Sequence, residues 1–174
     1  MTGSNGDSRR RGSDELLLAV GSLGYIGFVR YASGTISVAV VGVPAYLAAK
    51  LGWGISNSMY AALVAAFTLL AVWIAGRADD ILGEKDSRRS VIDELPGFWI
   101  ALIALPCTWQ IVTGAFFIER ALDIMKIWPA SWIEKRVAGG WGVVLDDVVA
   151  GLYTLAILHA AATWLPARMG IAPS

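Results

Sequence analysis

Residues 59–76, MYAALVAAFTLLAVWIAG, contain no charged side chain and close on Arg77. A helix of this length rises about 27 Å, close to the ~30 Å hydrocarbon core of a bilayer. Trp73 near one end suits a membrane–water interface. Inside hydrocarbon every backbone amide must find its partner within the protein, and an α-helix meets that demand alone. The stretch therefore predicts a spanning helix, and with it an all-α polytopic membrane bundle with interfacial or re-entrant segments.

Composition agrees over the whole chain of 174 residues: 56% of residues are hydrophobic and only 16% charged, with a mean hydropathy of +0.60. Soluble domains carry about 25% charged residues. Eight Trp and nineteen Gly fit interfacial anchoring and close helix packing. Fourteen basic and fourteen acidic residues cancel, so no nucleic-acid footprint is expected. The single cysteine, Cys107, excludes an internal disulfide framework. It also lacks the basic residue six positions on that a cysteine phosphatase needs, Thr113 standing there instead. The single histidine, His159, excludes His-rich metal sites and reads as a packing residue. Chemistry is left to carboxylates, Lys, Arg and backbone groups.

Outward from residues 59–76, the polar start at 1–15 reads as a disordered tail and 16–174 as one membrane domain. Leu16–Val29 is short and Gly-punctuated, and Ile36–Ala49 carries Pro44. Together they predict one crossing plus a broken element, or a tight hairpin. Leu95–Ile118 is long enough to cross but holds Pro106 in its middle. The charged loops on either side, 77–94 and 119–142, are both rich in Lys and Arg, so both are expected on the cytoplasmic side together with Arg9–Arg11. That favours a re-entrant hairpin broken at Pro106 over a Pro-kinked span. Residues 119–142 read as an interfacial amphipathic segment, and Val143–Leu165 as the last span.

Asp146 and Asp147 lie inside that last apolar run. An ionised Asp in a membrane helix costs about 2.5–3.5 kcal/mol on insertion scales, so two adjacent ones call for a cation or a water-filled cavity. Mg²⁺ takes hard oxygen ligands of this kind, using one or two carboxylates plus substrate phosphate. Asp93 and Glu94 precede Leu95-Pro96, where an ordinary helix start explains them equally well. Arg120, Asp123 and Lys126 recur every three residues and predict one side of a helix, either a solvated face or a metal ligand between phosphate-gripping cations. Asp86 sits in a charge run that alone reads as a wet loop. Ser33-Gly34-Thr35 could offer amides and a hydroxyl to phosphate, although a structural turn accounts for it as readily.

VIDELPGFWIALIALP (91–106) followed by ALDIMKIWPASWIEKRVAGGWGVVLDDVVAGL (121–152) closely resembles the phosphatidylglycerophosphatase A family. The resemblance implies a Mg²⁺-dependent phosphatase of the bacterial inner membrane, and Arg9–Arg11 predict that its N-terminus is cytoplasmic. Its implied reaction removes the terminal phosphate of phosphatidylglycerophosphate in phospholipid biosynthesis, and its implied fold is largely helical. By position the family pattern falls on Thr35, Asp86, Asp93, Glu94, Asp123, Lys126, Asp146 and Asp147. The roles expected are metal ligation by Asp93, Asp123, Asp146 and Asp147, and water activation by Glu94 or Asp86. Lys126, Arg120 and Thr35 are expected to bind substrate. The chain departs from the family pattern at Ile127, where a Pro is usual, at Glu119, where a Phe is usual, and at Ser33. Two other readings stay open: a phosphatase acting on another lipid phosphate, and a non-enzymatic ion-binding membrane module. Oligomeric state is not legible.

Overall fold

The computed structural model describes residues 4–24, 26–28, 32–83, 91–137 and 139–171. Every regular element among them is helical: α1 (Ser4–Gly21), α2 (Ser33–Gly52), α3 (Asn57–Leu82), α4 (Glu94–Ile100), α5 (Trp109–Met125), α6 (Ala130–Arg136) and α7 (Gly140–Trp164), with short 3₁₀ turns at Ile26–Phe28 and Pro166–Met169. Three of these, α2, α3 and α7, are long and apolar enough to cross a membrane.

The helices differ from the sequence expectation in four places. The segment 1–15, predicted to be disordered, is helical from Ser4 onward. Arg and Leu are good helix formers, and their runs at Arg9–Arg11 and Leu16–Leu18 offset Gly12 between them. Pro44 does not break α2, because two wider π-helical stretches, Val38–Gly42 and Ala48–Gly52, flank it. The missing proline N–H is absorbed in that widened backbone. The break before α5 begins at Ala101 instead of at Pro106, with Ala104 left-handed at φ 57°. Finally, α5 continues to Met125, so Glu119, Arg120 and Asp123 belong to its last turns and not to a separate interfacial segment.

The ends are capped as physical chemistry asks. Ser56 accepts the Met59 amide at 3.2 Å to start α3, and Gly83, left-handed at φ 67°, returns its N–H to Asp79 to stop it. Thr108 starts α5 in the same way, accepting from Ile111 at 3.4 Å.

Residues 94–120 form a hairpin. The chain descends as α4, runs irregularly through 101–108, and climbs back as α5. Its tip, Cys107 and Thr108, lies beside Leu47 and Leu51 at the far end of α2. Thr108 also donates to the Met169 carbonyl at 2.7 Å. Irregular backbone at that depth is tolerable where protein surrounds it, and Ala101, Leu102 and Leu105 are buried. Two hydrogen bonds pin the descending arm: Tyr60 donates to the Trp99 carbonyl, and the Trp99 indole donates to the Gly42 carbonyl, each at 2.9 Å.

α4 and α7 cross backbone to backbone. A Cβ on Gly97 would lie 2.6 Å from the Asp147 carbonyl oxygen, and one on Gly151 would strike the Gly97 carbonyl. Small residues permit this approach where apolar burial gives helices no reason to associate. The crossing sets Asp147 against the start of α4.

Candidate active site

The start of α2, the end of α3, both ends of the 94–120 hairpin and the start of α7 meet at one end of the bundle. Gly34 faces the Glu94 carboxylate so closely that a Cβ there would collide with it. Gly76 packs on Gly140, and the amides of Val91 and Ile92 both donate to the Gly21 carbonyl. The described ends of both charged loops are thus on one side, as the hairpin reading expects.

Into this end project six carboxylates and two cations. Glu94, Asp123 and Asp147 each offer an oxygen, and the three oxygens lie within 4.8 Å of one another. Arg120, buried, sits among them. Its Nε and one Nη donate to the two oxygens of Glu119, both at 2.7 Å. The same Nη reaches Asp147 at 3.3 Å, and the other bonds Glu94 and lies 3.5 Å from Asp123. Asp146 accepts the Asp147 amide at 3.1 Å and lies 3.8 Å from the Lys126 ammonium. Asp93, buried beside Glu94, is close enough to Asp147 for their charges to repel.

Burial and neighbours pull these groups in opposite directions. Desolvation pushes the Glu119 carboxyl up to about 7, against the two Arg120 hydrogen bonds that pull it down. For Arg120, desolvation opposes the charge but loses to Glu119, Glu94 and Asp147, which hold the guanidinium firmly protonated. Both Glu119 oxygens accept hydrogen bonds, the pattern of an ionised carboxylate.

The sequence expectations fare unevenly in position. Glu94, Asp123, Asp146, Asp147, Arg120 and Lys126 converge. Asp93 is adjacent, but Glu94 supplies the third oxygen of the close set. Thr35, half-buried, follows Gly34 at the mouth of α2. Lys126 is not on the helix face predicted for it; it ends α5 in a left-handed conformation, φ 45°, and so turns toward Asp146. Asp86 lies outside the described residues. His159 hydrogen-bonds to the Leu155 carbonyl of its own helix at 3.0 Å, a structural role. Sequence reasoning missed Glu119 as a site residue. Its signal was an acid beside Arg120 at the end of an apolar run.

Fold and site together define an all-helical protein with membrane-length helices and a buried carboxylate–guanidinium cluster at one end of its bundle. The chain belongs to the phosphatidylglycerophosphatase A family, whose model matches residues 19–162. It is 36% identical to phosphatidylglycerophosphatase A of Escherichia coli over 115 residues, 66% of this chain and 64% of the relative. Against the protein of the same name from Haemophilus influenzae it is 31% identical over 98 residues, 56% of this chain and 60% of the relative. A Bacteroides thetaiotaomicron protein, provisionally named a phosphatidylinositol-3-phosphatase, is 40% identical over 109 residues, 60% of this chain and 66% of the relative. The matched stretch spans less than two thirds of each of these relatives. No solved structure matches the chain.

Proposed function

We propose that this chain is a Mg²⁺-dependent phosphatase that removes the terminal phosphate monoester of phosphatidylglycerophosphate at a membrane surface, releasing phosphatidylglycerol and inorganic phosphate. The observation that carries the reading is the close set of carboxylate oxygens from Glu94, Asp123 and Asp147. It is joined by family membership and by the relatives named for this reaction.

The donor set fits the metal: hard, anionic oxygens, few enough to leave positions for water and phosphate. Glu94, Asp123 and Asp147 would hold the ion, with Asp93 alongside. When bound, Mg²⁺ neutralises phosphate charge and acidifies a coordinated water. Lys126, partly exposed at the rim, binds phosphate oxygens as charge develops on them. Thr35 adds a hydroxyl from the α2 mouth. Asp146, outside the close set, takes the proton of the attacking water, with Asp86 a further candidate from the sequence. As the new P–O bond forms, the bond from phosphorus to the glycerol oxygen breaks, and that oxygen leaves with the proton that Asp146 took from the water. Interfacial Trp128 and Trp132, both exposed, flank the approach of a lipid that arrives laterally. We place the chain in a bacterial cytoplasmic membrane, with the cluster on the cytoplasmic side.

A second reading, hydrolysis of another lipid phosphate, is favoured by the Bacteroides relative. A non-enzymatic ion module fits less well, because the carboxylates gather at helix ends and not along a path through the bundle. The deciding experiment is phosphate release from a panel of phosphorylated lipids by purified protein in detergent, with Mg²⁺ and with chelator. Preference for phosphatidylglycerophosphate and loss on chelation are expected. Equal rates with and without metal would remove the Mg²⁺ role, and preference for a phosphoinositide would transfer the reading to the second substrate.

A further inference from the structure

Glu119 has no exposed surface, and both its oxygens are taken by Arg120. A Cβ on Gly97 would lie 2.8 Å from one of those oxygens, so the carboxylate is sealed into the crossing of α4 and α7. It therefore reaches neither solvent nor an incoming phosphate. A carboxylate buried this completely needs a fixed cation. Arg120 has five N–H donors in a rigid fork. One edge of that fork is spent on Glu119 at 2.7 Å twice over, while the remaining reach extends to Asp147 at 3.3 Å and Asp123 at 3.5 Å, and to Glu94. These last three are the same residues whose oxygens form the close set. One guanidinium thus serves two masters, and the geometry of its tie to Glu119 is the better of the two.

We propose that Glu119 is a positioning residue: it tethers Arg120 as an internal cation that holds Glu94, Asp123 and Asp147 together, and it retains that guanidinium when a divalent cation enters among them. This rests on the reading of the cluster as a divalent-cation site. A divalent cation held by the three shared carboxylates would repel the guanidinium from them. With Glu119 present, Arg120 keeps a full bidentate partner while it yields them. Without Glu119, the guanidinium's remaining partners are the metal's own ligands, and it competes with the ion for them. Arg120 is then a resident of the cluster, and the phosphate-binding cation is Lys126.

The test is direct binding of Mn²⁺, followed by electron paramagnetic resonance and competed with Mg²⁺, on the full chain in detergent. Glu119→Gln is expected to weaken binding about tenfold, and Glu119→Asp, which keeps the charge but shortens the reach, several-fold. The double variant Glu119→Gln/Arg120→Gln, which removes tether and competitor together, is expected to return to the affinity of the unaltered chain; a general packing defect would not be rescued by a second substitution. Unchanged affinity in Glu119→Gln, or full affinity in Glu119→Asp, overturns the tether. If Glu119→Gln is not monodisperse, the double variant decides: restored binding supports the proposal and weak binding overturns it. Asp147→Asn separates the two layers. If the unaltered chain binds no Mn²⁺, or Asp147→Asn binds it equally well, the metal reading itself falls and takes the tether with it.

Discussion

α3 and α7 are nearly the same length, 26 and 25 residues, and both are long and apolar enough to cross a membrane. Their fates in the bundle differ. Half of the membrane-length window of α7 is buried in protein, against 28% for α3. α3 turns Met59, Leu63, Leu69, Leu70 and Trp73 outward. α7 buries Gly140, Gly142, Asp146, Asp147, Gly151 and Thr154. The lesson is that two helices equally fit for lipid by length and composition can differ in what they bury, and the one that buries acids and glycines is the one that carries the candidate site's Asp146 and Asp147. The working helix gives up apolar surface for small residues that bring backbones together and acids that need neighbours.

That contrast can be broken by substitution. Asp147→Asn on α7 is expected to lower phosphate release by about 100-fold or more, since even outer supports of a metal site cost 10–100-fold when lost. Near-normal turnover by purified protein would erase the distinction. Next in size, Gly151→Ala forces a Cβ against the Gly97 carbonyl. It is expected to cost about 1–3 kcal/mol as overpacking does, seen as a lowered unfolding midpoint in detergent. An unshifted midpoint would show that the α4–α7 crossing gives way freely. Lys126→Ala, at the rim, is expected to raise KM about tenfold with a smaller change in kcat, as the loss of a charge-assisted contact to phosphate does. A pure kcat effect would move Lys126 from binding to chemistry. Smallest is Leu69→Ala on the lipid face of α3, 59% exposed. Its expected effect on stability is within about 0.5 kcal/mol; a larger loss would mean that this face is covered by protein.

The sequence revealed α3 because nothing interrupts its apolar run, and Asp146-Asp147 because charge inside such a run is costly. The hairpin was legible from a mismatch between two basic loops and one proline-broken segment, although the break begins five residues before Pro106, at Ala101, and Ala104 turns left-handed within it. The continuity of α2 was not legible, since a proline in a helix reads as a stop unless tertiary packing lets the backbone widen around it. Nor was Lys126's partner, because the left-handed residue that ends α5 carries no glycine to announce it. The family resemblance located most of the cluster but marked Glu119 only as a departure. Its importance comes from burial and from the direction of one guanidinium, quantities that a linear pattern does not contain.

The meeting of Glu94 with Arg120 has a further consequence. The chain between them goes down and comes back, so both stand at one end of the bundle, which on the proposed reading faces a single leaflet. A lipid substrate of the proposed reaction would enter from that monolayer and its product would stay there, with no flip-flop needed on entry or exit. Vesicles carrying a phosphorylated lipid in both monolayers would therefore surrender about half of it to a population inserted in a single orientation, and the rest only as fast as lipids exchange sides unaided.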